Sequence, residues 1–255
     1  MICLSVNVNK IATLRNSRGG HVPRVTDAVT VCLNAGVHGI TVHPRADRRH
    51  ITPDDVRDVK QMLAPRKPHV ELNIEGDPRP DLIALVDEVL PDQCTLVPVA
   101  PGEVTSQAGW QPGPQTAGLA GVVSSMKTRG VRVSLFVDPH ETAIRWAAST
   151  GADRIELYTE PFARAYERGT DAARESFKVY ADAARLAHSL GLGINAGHDL
   201  NRDNLSDFLR AVPGVQEVSI GHALIADALE LGLAETVRAY RRCIADAHAA
   251  GLASP

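Results

Sequence analysis

At 255 residues the chain has room for one large α/β domain, and a formal net charge of −3 with a pI near 6.4 gives no global attraction to nucleic acid or an anionic membrane. Cys3, Cys32, Cys94 and Cys243 form no C-x-x-C pair and no zinc-like spacing, which suits reduced thiols rather than a disulfide framework. The first residues, "MICLSVNVNK", lack a basic segment followed by a long apolar one, and no run reaches the roughly 18 apolar residues of a membrane span, so the expected location is cytoplasmic.

In chain order, β-rich runs fall at 2–8, 39–43, 70–75, 94–99, 132–138, 154–159, 192–196 and 217–220. Helical signals separate them. Thr52-Pro53-Asp54-Asp55 reads as an N-cap, a proline in the first turn and an acidic start, ahead of Val56, Val59 and Leu63 at helical spacing. A second helix through Phe177, Tyr180, Ala181, Ala184 and His188 stops before Gly191. Eight strand and helix alternations predict a parallel sheet closed into a (β/α)8 TIM barrel, one domain over residues 1–255. The competing doubly wound sheet lacks a G-x-G-x-x-G or P-loop after any strand. Two connections are longer than a barrel needs: residues 9–24, with "NKIATLRNSRGG", and 98–115, whose four prolines and three glycines suggest a lid.

Active sites of such barrels lie at the C-terminal strand ends. Asn7 and Asn9, with Lys10, end the first strand; His43, Arg45 and His50 follow the second; Glu71, Asn73 and Glu75 share one face of the third. Thr105 follows the fourth strand and Asp138 ends the fifth. Glu156 and Tyr158 share a face of the sixth, Asn195, His198 and Asp199 end the seventh, and Gly221-His222 end the eighth. Several histidines and carboxylates converging at strand ends suggest acid/base chemistry. "AGHD" and "IGHA" sit where barrels often hold phosphate on backbone amides and a helix N-terminus, and the arginines of "HPRADRRH" and "RNSRGG" offer forked donors to a second anion.

Other chemistries have less support. Only Lys10 is near a strand end to serve as a Schiff-base lysine; His43, His198, His222 and Glu71 lack the H-x-H or H-E-x-x-H pairing of a zinc hydrolase; and there is no G-x-S-x-G elbow.

"VNVNKIATLRNSRGG", "GITVHPRADRRHIT", "VSLFVD", "NAGHDLN" and "SIGHALIADAL", spread from residue 5 to about 230, resemble the pyridoxine 5'-phosphate synthase family. The resemblance implies a barrel with extra helices, a homo-octamer assembled from dimers, and no metal or organic cofactor. It implies a ring-forming condensation of 1-deoxy-D-xylulose 5-phosphate with 3-amino-2-oxopropyl phosphate to pyridoxine 5'-phosphate, phosphate and water. It makes His43 and Glu71 proton acceptors, His198 a proton donor and Glu156 a stabiliser of developing charge. Asn7, Arg18, Gly221, His222 and the backbone of Asp199 would bind the amino-ketone phosphate; Asn9, Lys10, Arg45, His50 and Thr105 would bind the pentulose phosphate. Glu71 is expected to have a raised pKa inside the barrel mouth. Three positions depart from many members: Asn9-Lys10 stands for Asp-His, Asp199 for a more usual glycine, and "LYTEPFA" for a segment with His-Thr-Gly.

Overall fold

The structure, a computed structural model, describes residues 1–99 and 106–252. Eight parallel strands close a barrel in chain order: β1 (Cys3–Asn7), β2 (Gly39–Val42), β3 (Glu71–Gly76), β4 (Gln93–Leu96), β5 (Arg132–Val137), β6 (Arg154–Tyr158), β7 (Gly193–Gly197) and β8 (Val215–Ile220), the last pairing back onto β1. Among the described residues the helices are α1 (Asn9–Asn16), α2 (Val25–Asn34), α3 (Pro53–Leu63), α4 (Pro80–Val89), α5 (Leu119–Thr128) and α6 (Glu141–Ser149), then α7 (Glu160–Glu167), α8 (Thr170–Ser189), α9 (Leu205–Ala211), α10 (His222–Leu231) and α11 (Leu233–Leu252). All eight predicted strands are present with ends shifted by a few residues, and the architecture is the (β/α)8 TIM barrel. The long first connection is not a plain loop, because α1 occupies half of it. No helix among the described residues is long and apolar enough to cross a membrane.

Strand alternation divides the residues between two environments. Leu4, Val6, Ile40, Leu72, Ile155 and Val218 point outward and are fully buried beneath the helices, forming the apolar core. The inward residues are mostly polar, whereas barrels of this kind are commonly filled by branched apolar side chains. Hydrogen bonds across the barrel between non-adjacent strands establish their direction: Ser219 donates to Thr41 at 3.2 Å and Asn195 to Gln93 at 3.3 Å. At the N-terminal end Arg132 pairs with Glu71 and hydrogen-bonds Gln93 at 2.9 Å, and Arg154 lies 3.5 Å from Glu217. These contacts pair buried polar groups that an apolar barrel would not contain, with Gln93 Nε2 left without a partner among the described residues.

The loop leaving β2 is held from below. The Thr52 hydroxyl accepts the Asp55 N–H at 3.3 Å while the Asp55 carboxylate accepts the Thr52 N–H at 2.8 Å, a reciprocal cap that starts α3. Asp55 also receives both Arg15 Nη groups, at 2.5 and 2.9 Å, and Arg15 and Asn16 donate to the His50 carbonyl at 3.3 and 2.9 Å. Thus the last turn of α1 anchors the "HPRADRRH" loop. Replacing Asp55 by Ala strands a largely buried guanidinium and removes the cap, so the expected cost is about 3 kcal/mol, or roughly 6–12 °C in melting temperature, read by thermal unfolding.

Candidate active site

The C-terminal mouth assembles around Glu75, the last carboxylate to point inward from β3. Its Oε2 accepts from Asn7 Nδ2 at 3.2 Å and lies 3.8 Å from His43 Nδ1. The first turn of α1 fixes this corner, because Asn9 Oδ1 accepts the His43 N–H at 2.9 Å and the Asn9 N–H donates to Asn7 Oδ1 at 3.0 Å. Burial, opposed by His198 and reinforced by Glu217, pushes the Glu75 carboxyl up to about 7. His43 is pushed the other way, down to about 3, by burial and by the neighbouring His50, Arg45 and Arg79, against Asp47. The pair is therefore a neutral imidazole beside a carboxyl that changes protonation near neutrality, not an ion pair. Among the described residues His43 Nε2 is buried without a partner, a state a hydrogen-bonding substrate would relieve.

Glu156 comes from β6 and is almost wholly buried. Burial and the neighbouring Glu75 and Glu217 raise its carboxyl well above the usual range. Its Oε2 also has no partner among the described residues. Gly197, at the end of β7, makes room for it: a Cβ there would lie 2.5 Å from Glu156 Oε1 and 3.0 Å from the Ser219 carbonyl oxygen. Gly197→Ala is expected to displace the carboxyl and lower turnover on the order of 100-fold in a folded protein, since small misplacements at reacting groups carry costs of that size; steady-state kinetics with circular dichroism would check it.

His198 follows β7 with its ring edge-on to Tyr158 at 5.3 Å and 6.0 Å from Phe136. These aromatic contacts place it on the mouth opposite His43, and its charge reaches Glu75.

Glu71 does not join them. It opens β3 rather than closing it, roughly 13 Å along the strand from Glu75 at about 3.3 Å per residue. Its carboxylate is paired with Arg132 on the barrel floor, with 39% of the side chain exposed. The expectation that Glu71 stands at the mouth is corrected: alternation puts Glu71 and Glu75 on the same face, but in different layers.

The model of the family described as "Pyridoxal phosphate biosynthesis protein PdxJ" matches residues 4–246. The pyridoxine 5'-phosphate synthase of Porphyromonas gingivalis is 54% identical over 241 residues, covering 94% of this chain and 98% of the relative. That of Albidiferax ferrireducens is 53% identical over 247 residues, covering 95% and 97%. The chain belongs to the PdxJ family. Among solved structures, a phosphoribosyl anthranilate isomerase from Thermus thermophilus is similar in fold alone, with TM-score 0.58 and 15% identity, covering 96% of this chain and 98% of that one.

In this PdxJ protein the remaining sequence-selected residues divide by position. Arg45 is buried and His50 half-buried beside His43, whose ring centroid is 6.1 Å from that of His50. Burial, with help from Arg45 and Lys10 and against Asp47, pushes His50 down to about 4, so Lys10, Arg45 and a neutral His50 form one basic corner. Arg79 donates to the Pro44 carbonyl and pairs with Asp77 at 2.5 Å, bracing that loop; the sequence reading did not single it out. Gly221 caps α10 where a Cβ would come 3.1 Å from Asn7, and His222 is exposed as the first helical residue. Asp199 is exposed beside His198, and Arg18 is exposed on the turn after α1. Thr105 lies outside the described residues, as does the 100–105 part of the expected lid. Further along, Trp110 is fixed: its N–H donates to the Phe136 carbonyl at 2.8 Å and its Nε1 to that of Leu96 at 2.8 Å.

Proposed function

We propose that the chain is a pyridoxine 5'-phosphate synthase that condenses 1-deoxy-D-xylulose 5-phosphate with 3-amino-2-oxopropyl phosphate at the mouth built around Glu75. The observation that carries this reading is the meeting, at one barrel end, of a neutral His43, a Glu75 titrating near neutrality, a buried Glu156 with a raised carboxyl and His198, beside a basic corner. The reaction calls for such a set: an amine adds to a ketone and water is lost, carbon-bound protons are removed, and phosphate and hydroxyl leave before the ring closes. Each transfer calls for a group in the right protonation state near neutral pH.

His43 and Glu75 take the proton-acceptor roles, Glu75 in place of the Glu71 first expected. Glu156 stabilises developing charge, and His198 donates to departing oxygen. Lys10, Arg45, His50 and Asn9 bind the pentulose phosphate together with Thr105. Asn7, Arg18, Gly221, His222 and the Asp199 backbone bind the amino-ketone phosphate, where the start of α10 presents unpaired N–H groups and a positive dipole end. Asn9 differs from an aspartate in keeping this corner free of an extra negative charge while still accepting the His43 N–H. The resemblance further supports a cytoplasmic homo-octamer assembled from dimers and working without metal or organic cofactor; sedimentation of the purified protein tests the assembly.

Incubating chelator-treated protein with both substrates should release pyridoxine 5'-phosphate and phosphate in equal amounts. A folded protein that binds either phosphate and forms no product would contradict the reading and leave a metabolite-binding barrel in its place.

A further inference from the structure

We propose that the Asp199 carboxylate is a positioning residue for His198, pinning the imidazole with its proton on Nδ1 so that Nε2 faces the mouth. The inference rests on the reading of His198 as the proton donor. It begins from backbone geometry. Two successive residues of an extended chain point to opposite faces, so His198 and Asp199 would ordinarily diverge. Here both are left-handed, with φ of 82° and 60°, a region non-glycine residues enter at a cost. The chain turns so sharply that the two side chains meet, with Asp199 Oδ2 3.2 Å from His198 Nδ1.

Neighbouring elements hold this conformation. The Thr159 hydroxyl, at the start of α7, donates to the Gly197 carbonyl at 2.7 Å and also to that of His198. Asn204 Nδ2 donates to the Asp199 carbonyl at 3.2 Å. Tyr158 and Phe136 limit the His198 ring from the β6 and β5 sides. The "LYTEPFA" segment therefore supplies Thr159 as a clamp on both carbonyls of the turn. The His198 contact, ahead of opposing burial and with help from His222 and Arg164, keeps the Asp199 carboxyl below its usual range, so it is ionised at neutral pH.

Turned onto the imidazole, the carboxylate is also directed to a cation rather than to an incoming phosphate, so backbone N–H groups of this turn remain usable by the anion. At 31% and 40% side-chain exposure the pair adds little stability. Its effect is orientation and tautomer. In neutral His198 the proton sits on Nδ1 toward Asp199; in the protonated ring the second proton, on Nε2, is the one delivered to a departing hydroxyl or phosphate oxygen, and the ring returns to the Nδ1–H form. A carboxylate that fixes the tautomer of a catalytic histidine without itself taking the proton is an established device of acid/base sites.

Asp199→Gly and Asp199→Asn test it, both chosen because glycine and asparagine accept a left-handed backbone. Nitrogen-15 NMR of labelled protein should show neutral His198 in the Nδ1–H form, and in both variants a shift towards Nε2–H. Turnover should fall on the order of 10- to 100-fold with KM for each substrate within about twofold. An unchanged tautomer in both variants would overturn the proposal, as would an altered KM with kcat intact, which would make Asp199 a substrate-binding carboxylate. His198→Gln separates the two levels of the argument: retained turnover there removes the donor reading of His198, while the NMR result still decides whether Asp199 sets its tautomer.

Discussion

Glu75→Gln should lower kcat/KM at least 100-fold, as expected for loss of a general base, while Glu71→Gln should change it by less than about threefold. The amide keeps the shape and the Asn7 contact but cannot accept a proton. Glu71 stands on the floor of the barrel against Arg132, far from the reacting groups, so its replacement is expected to be felt in stability. The pH profile gives the same assignment a second expression. With Glu75 titrating at about 7, the active form of the free enzyme is lost as pH falls below that value, giving a one-proton acid limb near neutrality. Linkage gives the opposite sign for stability. The folded carboxyl binds its proton more tightly than the unfolded one, so its favourable contribution is complete below about pH 4.5 and is lost as pH rises through about 7. Glu75→Gln should therefore melt higher than the parent at pH 8 and gain much less at pH 5.

The second large effect belongs to His43. Its imidazole is held neutral across the working range, with Nδ1 towards Glu75 and an Nε2 that has no partner among the described residues, which makes it an acceptor ready at any pH above about 4. His43→Asn is expected to reduce turnover on the order of 1000-fold. Because His43 and Glu75 touch and serve consecutive transfers, the double variant should be little worse than the poorer single one, whereas independent groups would multiply their losses. Steady-state kinetics of the four proteins closes that cycle. Multiplicative losses would show that the two groups act in separate steps without coupling.

Much of this arrangement is legible in the sequence because its signals are local. The order of eight strands follows from β-rich runs alternating with helical spacing, and "TPDD" announces the cap of α3 through residue types that suit only a helix start. His43, Glu156 and His198 are legible because each ends a strand or follows one closely. Depth within the barrel is harder to read. Glu71 and Glu75 obey the same two-residue period, and only the register, in which Glu71 lies opposite Gly39 while Glu75 lies opposite Thr95, separates floor from mouth. The rule that barrel chemistry sits at the C-terminal ends of strands already favours the later carboxylate. Contacts between distant segments left no local trace. Arg15 with Asp55, Asn9 with the His43 backbone and Thr159 with the His198 carbonyl each depend on the closed barrel. The meeting of Asp199 with His198 depends on two left-handed residues in succession, which neither residue type demands.

The most direct test of the central claim is a crystal structure with an unreactive analogue of 1-deoxy-D-xylulose 5-phosphate. The account predicts the analogue at the C-terminal mouth, with its phosphate on the Lys10, Arg45 and His50 corner and its carbon chain against His43 and Glu75. An analogue bound at the barrel floor beside Glu71 and Arg132, or at the mouth but away from Glu75, would contradict it.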